Sequence, residues 1–304
     1  MRETGQGVQD FVGWPRFAQE ALLPRQPAIY QWKATNSIET PWSHRYFKAR
    51  YPLQEVVFGP FHEEQIHLAN YLEQIESMVY EGADTSSMPY PRNIWLPKAF
   101  PDLVADICLP PFLDVNLFAH PLLKEALPVV WHPWIEIFFS PPGIVYPQVH
   151  VDRWMTHAWI MQVFGEKRIY LWPPRICGKK ILQYTEENDD TRPKRLRDSQ
   201  FLIEINAKTN LKNIFEHVAP IELHLKSNQI AFIPAGWWHT TKTLTPSISL
   251  SGNFMGPDNF EDFVAAVILD STDATHDASD VISQCKKLRP YAYAKLHHMV
   301  NLLG

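Results

Sequence analysis

Cysteine and glycine are scarce in this chain of 304 residues, and a long apolar run is missing. The three cysteines, Cys108, Cys177 and Cys285, stand far apart without a CxxC pair, which excludes a disulfide scaffold and a cysteine-built zinc finger. No run of 18 apolar residues occurs, so no membrane span is predicted. Positive charge is not in excess either, because the net charge is −5, and this disfavours nucleic acid as a partner.

Proline is abundant instead, with 26 prolines against 12 glycines. Ordinary proteins show the reverse order, roughly 5% proline and 7% glycine. The prolines are scattered, so they separate short elements and leave little room for long helices in the middle of the chain. The first residues lack the basic end and apolar run of a secretory leader, and the few cysteines suit a reducing compartment. We therefore expect a cytoplasmic protein.

Short β-branched and aromatic runs, separated by turns, begin at about residue 128. They cover residues 134–139, 159–163, 167–172, 221–225, 229–233 and 247–254. Many short strands at such spacing predict a β-sandwich or a small barrel. The expected fold class is mainly β with flanking helices.

Helical periodicity appears on both sides of this β region. Apolar residues recur at steps of three and four over residues 63–79, which predicts a helix. After the β region, Asp258 is a candidate N-cap for a helix over 259–269, and a further helix over 281–288 is expected to end at Pro290.

Three units follow from these patterns. Residues 1–127 are expected to form an N-terminal mixed α/β segment that contributes outer strands and helices. Residues 128–256 form the β core, with a charged insertion near 175–215, and residues 257–304 form C-terminal helices. Charges of both signs in the insertion are typical of a solvated loop.

Candidate metal ligands occur within the β region. His150 and Asp152 are two residues apart on a predicted strand, so both side chains project from one face. His239 follows an apolar strand and a Pro/Gly turn, in FIPAGWWH. Two histidines and one carboxylate leave octahedral positions open, as in non-haem Fe(II) oxygenases, whereas a structural zinc site has four protein ligands. His157 and His224 lack a carboxylate at ligand spacing and are not expected to bind metal.

Taken together, HVD, GEKRIYLWPP, FIPAGWWH and ISLSGNF resemble the JmjC/cupin-8 group of Fe(II)- and 2-oxoglutarate-dependent oxygenases. The motif spacing is most similar to the phosphatidylserine-receptor-like branch, which includes a lysyl hydroxylase. The resemblance is strong over residues 146–174 and 229–256. It implies a double-stranded β-helix (jelly-roll, cupin/JmjC) core, with Fe(II), 2-oxoglutarate and O2 as cofactor and cosubstrates.

The resemblance also implies residue roles. Lys167 matches the cation that pairs with the distal carboxylate of 2-oxoglutarate, and Ser251 matches a hydroxyl that assists it. Asn253 matches an asparagine near the metal and cosubstrate, and Thr156 matches a further hydroxyl contributor. Trp95 stands where the family usually has a tyrosine.

The predicted function is hydroxylation of a C–H bond of an amino-acid side chain in a protein or peptide. A tailoring hydroxylase of a free amino acid or peptide-like metabolite, and a non-catalytic metal-binding cupin, are the alternatives. A Zn- or Mn-dependent isomerase or lyase on the same barrel is a third. Demethylation is the same oxidation on an N-methyl group, and it ranks lower because no chromatin-binding segment is evident. The C-terminal helices are candidates for a homodimer contact.

Overall fold

The computed structural model describes most of the chain. The described residues are 9–10, 13–33, 42–58, 64–86, 88–91, 94–126, 134–174, 194–196, 200–204, 211–273 and 279–301. Within them, no helix is both long enough and apolar enough to cross a membrane.

The described strands are short, as the turn-separated runs predict. They are β1 (Gln9–Asp10), β2 (Ala28–Gln31), β3 (Glu55–Phe58), β4 (Glu64–His67), β5 (Glu136–Ser140), β6 (Gln148–His150), β7 (His157–Phe164), β8 (Glu166–Trp172), β9 (Lys194–Leu196), β10 (Gln200–Glu204), β11 (Ile221–Lys226), β12 (Gln229–Ile233), β13 (Trp238–Thr243) and β14 (Ser247–Phe254).

Most of the described helices lie before and after the main β region. They are α1 (Trp14–Phe17), α2 (His44–Arg50), α3 (Leu68–Tyr80), α4 (Leu96–Ala99), α5 (Pro121–Ala126), α6 (Leu211–His217), α7 (Phe260–Asp273) and α8 (Ser279–Asn301). A π-helical segment, Ala18–Leu22, and short 3-10 turns connect them; one 3-10 turn, Arg153–Met155, lies inside the β region.

Two six-stranded sheets form the core, and β3 and β4 form a separate hairpin. The first sheet has the order β1-β2-β12-β7-β14-β5 and the second the order β11-β8-β13-β6-β10-β9. Successive strands alternate between the sheets, both from β5 to β8 and from β11 to β14. The predicted mainly β core with flanking helices is confirmed, and all described pairings except β1 with β2 are antiparallel.

Strand alternation separates an inner from an outer face in each sheet. Ala158 and Ile160 of β7 pack with Ile169 and Leu171 of β8, so these residues point into the space between the sheets. Trp159 and Met161 of β7 point the other way, into a large cluster with the N-terminal helices. The residue pairs between neighbouring strands therefore show which side chains lie on the inner face.

Three local predictions need correction. The helix predicted over 63–79 begins at Leu68, because residues 64–67 pair with β3. The helix expected to end before Pro290 continues to Asn301. Its buried residues Leu288, Ala292 and Met299 lie on both sides of the proline, so packing outweighs the missing backbone hydrogen bond.

The third correction concerns Asp258. Helix α7 begins at Phe260, and the Asp258 carboxylate bonds to His157 instead of capping the helix. Within the insertion, β10 pairs with β6, while residues 175–193, 197–199 and 205–210 lie outside the described part. The three-unit division and the C-terminal homodimer contact stay predictions.

Candidate functional site

The three predicted metal ligands meet between the sheets. Strands β6 and β13 are neighbours, and His150 lies directly opposite His239, with ring centroids 4.3 Å apart. Asp152 follows the strand end, and one ligand atom from each residue lies within 4.8 Å of the other two. His239 Nε2 and Asp152 Oδ2 are 3.7 Å apart. Donors bound about 2.1 Å from one ion lie roughly 3 to 4 Å apart, so these atoms can share an ion.

The protonation of the two imidazoles suits metal binding. His239 Nδ1 donates to the backbone carbonyl of Trp237 at 3.1 Å, which leaves the lone pair on Nε2, the atom facing Asp152. Burial, followed by the neighbouring His239, lowers the pKa of His150 to about 3, so this ring is neutral at neutral pH. Asp152 and a backbone hydrogen bond with Gln148 act in the opposite direction without outweighing burial, so His150 can offer a lone pair to an ion.

The cluster is open. Within the described ranges, no fourth histidine, cysteine or acidic residue joins it. A structural zinc site takes four protein ligands, whereas two histidines and one carboxylate with open positions are typical of non-haem Fe(II) enzymes. The donor set therefore fits ferrous iron, which His150, Asp152 and His239 would hold.

The turn after Asp152 has a strained backbone. Trp154 and Met155 both have left-handed φ angles, 49° and 53°, which are uncommon for residues other than glycine. The Thr156 hydroxyl donates to the carbonyl of Arg153 at 2.8 Å, and Asn253 Nδ2 donates to that hydroxyl at 3.0 Å. The structure thus brings Thr156 and Asn253 together beside the metal-ligand turn. These contacts support a role in holding Asp152, and direct contact of either residue with 2-oxoglutarate stays a prediction.

Lys167 lies on the same inner face as the metal ligands. Strands β8 and β13 pair Leu171 with His239 and Lys167 with Thr243, and residues opposite each other share a face. Lys167 is four positions from Leu171 along β8, which corresponds to about 13 Å of strand. Lys167 is only 2% exposed, and no carboxylate of the described residues lies within ion-pair distance of its ammonium. A buried ammonium is costly unless an anion accompanies it, so the site suits an acidic ligand.

Tyr90 is a candidate residue of this site that the sequence did not reveal. Lys167 Nζ donates to the Tyr90 hydroxyl at 3.4 Å, and Ser140 Oγ donates to the same hydroxyl at 3.2 Å. The aromatic rings of Tyr90 and Phe138 lie 5.9 and 5.7 Å from the ammonium. A hydroxyl, which Trp95 lacks, thus reaches the Lys167 ammonium from Tyr90, five residues earlier in a loop where no local pattern distinguishes one tyrosine from another.

The serines of β14 form one polar stripe on the inner face. Ser251 lies opposite Glu136 in the sheet, and its hydroxyl donates to the carbonyl of Trp159 at 2.8 Å. Ser247 lies opposite Ser140, near the Lys167 end, and its buried hydroxyl finds no partner in the described part of the chain. Ser251 as a contact of 2-oxoglutarate stays a prediction, and Ser247 is a second candidate hydroxyl for an anion.

Binding of 2-oxoglutarate is expected to weaken as the pH rises above about 7. Burial lowers the pKa of Lys167 to about 7, so the ammonium is present below that pH and is lost above it. Only the ammonium pairs with a carboxylate, so the affinity should fall by up to about tenfold per pH unit. Calorimetric titration of the Co(II)-loaded protein at several pH values measures this slope.

Lys167→Arg is the matched control for the pH series, since a guanidinium stays charged throughout. Its affinity should be nearly independent of pH over the same range. An equal slope in both proteins would show that another group causes it.

The β core and its open two-histidine, one-carboxylate cluster place the protein among the cupin-like metal proteins. Sequence comparison agrees, because the family described as "Cupin-like domain" matches residues 20–260, well over half of the chain. The chain belongs to this family, and the predicted JmjC/cupin-8 relationship is confirmed.

Three curated relatives illustrate the similarity. Arginine-specific demethylase JMJ22 of Arabidopsis thaliana is 26% identical, over 85% of this chain and 46% of its own length. Bifunctional arginine demethylase and lysyl-hydroxylase psr-1 of Caenorhabditis elegans is 24% identical, over 52% and 37%. 2-Oxoglutarate and iron-dependent oxygenase JMJD4 of Gallus gallus is 21% identical, over 80% and 58%. The chain thus spans about half the length, or less, of most such relatives.

Proposed function

We propose that the protein is an Fe(II)- and 2-oxoglutarate-dependent oxygenase that hydroxylates a C–H bond of an amino-acid side chain in a protein or peptide. The proposed architecture is a double-stranded β-helix, since successive strands alternate between two antiparallel sheets. The relatives are named as iron and 2-oxoglutarate oxygenases, demethylases or a lysyl hydroxylase.

One observation carries the proposal. The open metal cluster lies on the same inner face as the Lys167 ammonium, which is buried and has no counter-ion among the described residues. Along the paired strands β8 and β13, Lys167 is four residues from Leu171, the position opposite His239. A metal-binding module needs no such ammonium, and neither does a metal-dependent isomerase or lyase that uses no acidic cosubstrate. An acid that reaches from the metal to Lys167 accounts for both features.

The protein's own contribution is placement. His150, Asp152 and His239 would hold the metal on one side and leave the other side open. Lys167 and the Tyr90 hydroxyl would orient the distal carboxylate of 2-oxoglutarate, and the aromatic rings around them would exclude water. When bound, iron and 2-oxoglutarate supply the oxidising chemistry, in which O2 converts the acid to succinate and CO2 and hydroxylates the substrate.

Two measurements test the proposal. The purified protein with Fe(II), ascorbate and 2-oxoglutarate should form succinate, and mass spectrometry should find a peptide that gains one oxygen atom. Turnover on a free amino acid alone would favour the tailoring hydroxylase. Loss of a methyl group with release of formaldehyde would indicate demethylation. Metal binding without any succinate would contradict the oxygenase.

Glu136 favours a basic side chain as the substrate. Ile137 and Phe139 of β5 belong to the large cluster on the outer face of the sheet. Side chains alternate between the two faces along a strand, so Glu136 lies on the inner face. Burial raises the pKa of Glu136, and the nearby Asp152 acts in the same direction while Arg153 opposes it. Its carboxylate accepts from Trp134 Nε1 at 3.3 Å, and no basic group of the described residues lies within ion-pair distance.

A cationic substrate group would supply the missing partner of this carboxylate. Several of the relatives are named for lysine or arginine, which points to the same class of substrate. We therefore place a lysine or arginine side chain beside Glu136 at the metal end of the cavity.

Glu136→Gln should lower kcat/KM for lysine- or arginine-centred peptides about 10- to 100-fold, because a hydrogen bond to a charged group contributes about 1.5 to 3 kcal/mol. Matched peptides centred on norleucine or glutamine should be turned over equally by both proteins. Succinate formation in the absence of peptide should also be unchanged. An equal loss on all peptides would assign Glu136 to general structure.

A further inference from the structure

A largely buried histidine–aspartate pair lies close to the metal cluster in the fold without belonging to it. His157, the first residue of β7, is 0% exposed, and its Nε2 is 3.0 Å from Asp258 Oδ2. The ring packs against Phe232 and Phe254 on the outer face of the first sheet. It therefore points away from the cavity, which agrees with the prediction that His157 is not a ligand.

Hydrogen bonding defines the tautomer of His157. The backbone N–H of Ala235 donates to His157 Nδ1 at 2.9 Å, so that nitrogen must carry a lone pair. The hydrogen of the neutral ring is then on Nε2, which donates to Asp258. Both ring nitrogens are thus used, one by the turn that precedes His239 and one by the segment that follows β14.

The segment around Asp258 also holds the other ligand turn. Asn259 Nδ2 donates to the carbonyl of Met155 at 2.7 Å, three residues after Asp152. Asn259 Oδ1 accepts from the N–H of Gly256 at 2.8 Å, which fixes the amide's orientation. Residues 256–259 therefore connect to the Asp152 turn through Asn259 and to the His239 turn through Asp258 and His157.

Arg25 provides a second, more exposed connection. It donates to the Asp258 carbonyl at 3.0 Å, approaches the Asp258 carboxylate at 3.9 Å and pairs with Asp262 at 2.5 Å. Its own carbonyl accepts from Trp237 Nε1 at 3.0 Å. Arg25 and Asp262 are partly exposed, whereas the His157–Asp258 pair is buried. An interaction that water cannot replace constrains geometry more strongly.

We propose that His157 and Asp258 are positioning residues for the metal centre, which hold the turns of Asp152 and His239 at the separation that one ion requires. The pair touches neither the ion nor the substrate. Its effect passes through the Ala235–Trp238 turn to His239 and through residues 256–259 to Met155. This inference depends on the proposed metal site, but not on the identity of the substrate.

The test is to measure Co(II) binding by calorimetry and to record the visible spectrum of the bound ion. His157→Phe keeps the ring packing and removes both hydrogen bonds, and Asp258→Ala removes the oxygen that accepts from His157. Each variant should bind Co(II) about 10- to 100-fold more weakly, the usual effect of losing a residue that orients ligands. The double variant should lose little more than either single variant, because the two residues act as a unit.

Asp262→Asn is the matched control, because it removes a carboxylate from Arg25 without touching His157. Its Co(II) affinity should change less than about threefold, and its spectrum should match that of the wild-type protein. A purely structural role would lower the melting temperature of the metal-free protein and leave the Co(II) affinity and spectrum of the folded variants unchanged. That result in Asp258→Ala would overturn the proposal, even if His157→Phe did not fold. Failure of the wild-type protein to bind Co(II) would instead count against the metal site itself.

Discussion

We expect His150→Ala and Asp152→Ala to reduce succinate formation to background. Each substitution removes one of three protein ligands, and the cluster has no fourth residue among the described ones to replace it. Iron loss should follow, because two remaining ligands hold a divalent ion poorly. Succinate is measured by mass spectrometry after incubation with Fe(II), ascorbate and 2-oxoglutarate, and bound iron by elemental analysis.

His224→Ala is a suitable control for the ligand variants. His224 is an exposed residue of β11 and pairs with Glu166 at 2.7 Å, away from the inner face. Its loss should leave both succinate formation and iron content unchanged. Substantial turnover by folded His150→Ala protein would show that the histidines near Asp152 are not the metal ligands.

Lys167→Met should raise the 2-oxoglutarate concentration needed for half-maximal turnover by at least about 30-fold. Truncating one member of a buried charge pair costs about 2 to 5 kcal/mol, and each 1.4 kcal/mol is tenfold in affinity. Methionine fills much of the space of the lysine chain, so the fold should persist. Titration of 2-oxoglutarate in the succinate assay gives the requirement, and calorimetry on the Co(II) form gives the affinity directly.

Arg168→Met controls for the loss of a cation from the same strand. The Arg168 side chain lies on the outer face and approaches Glu222 at 3.6 Å, so its removal leaves the cavity intact. We expect an unchanged 2-oxoglutarate requirement in this variant. An unchanged requirement in Lys167→Met would refute the assignment of Lys167 and, with it, the argument from the uncompensated ammonium.

Local sequence patterns were sufficient for many elements of the core. The apolar runs at 167–172 and 229–233 became β8 and β12, since runs bounded by turns have few other ways to bury their side chains. Helix α8 shows where such reasoning fails. Pro290 is a strong local signal for a helix end, yet Leu288 and Ala292 pack on both sides of it. Segments distant in sequence make that contact, so no local sequence pattern predicts it.

The candidate site likewise contains residues that the sequence predicted and residues that it did not. His150, Asp152 and His239 were predicted from short motifs, and Lys167 was predicted from the resemblance to the family. Tyr90 and Glu136 were not, because neither lies in a recognisable motif. Both residues are candidates because of their neighbours in the fold. The Lys167 ammonium lies 3.4 Å from the Tyr90 hydroxyl, and the candidate metal ligand Asp152 lies near Glu136.

By itself the sequence determined the fold class, the family and the types of side chain that could hold a metal and an acidic cosubstrate. Strand periodicity and residue chemistry are local properties, and they can be read without coordinates. Only the tertiary structure decided which charges are buried without partners and which residues join the two ligand turns. Burial and pairing depend on strands that are distant along the chain, and two residues such as His157 and Asp258, 101 positions apart, meet only when the sheets assemble.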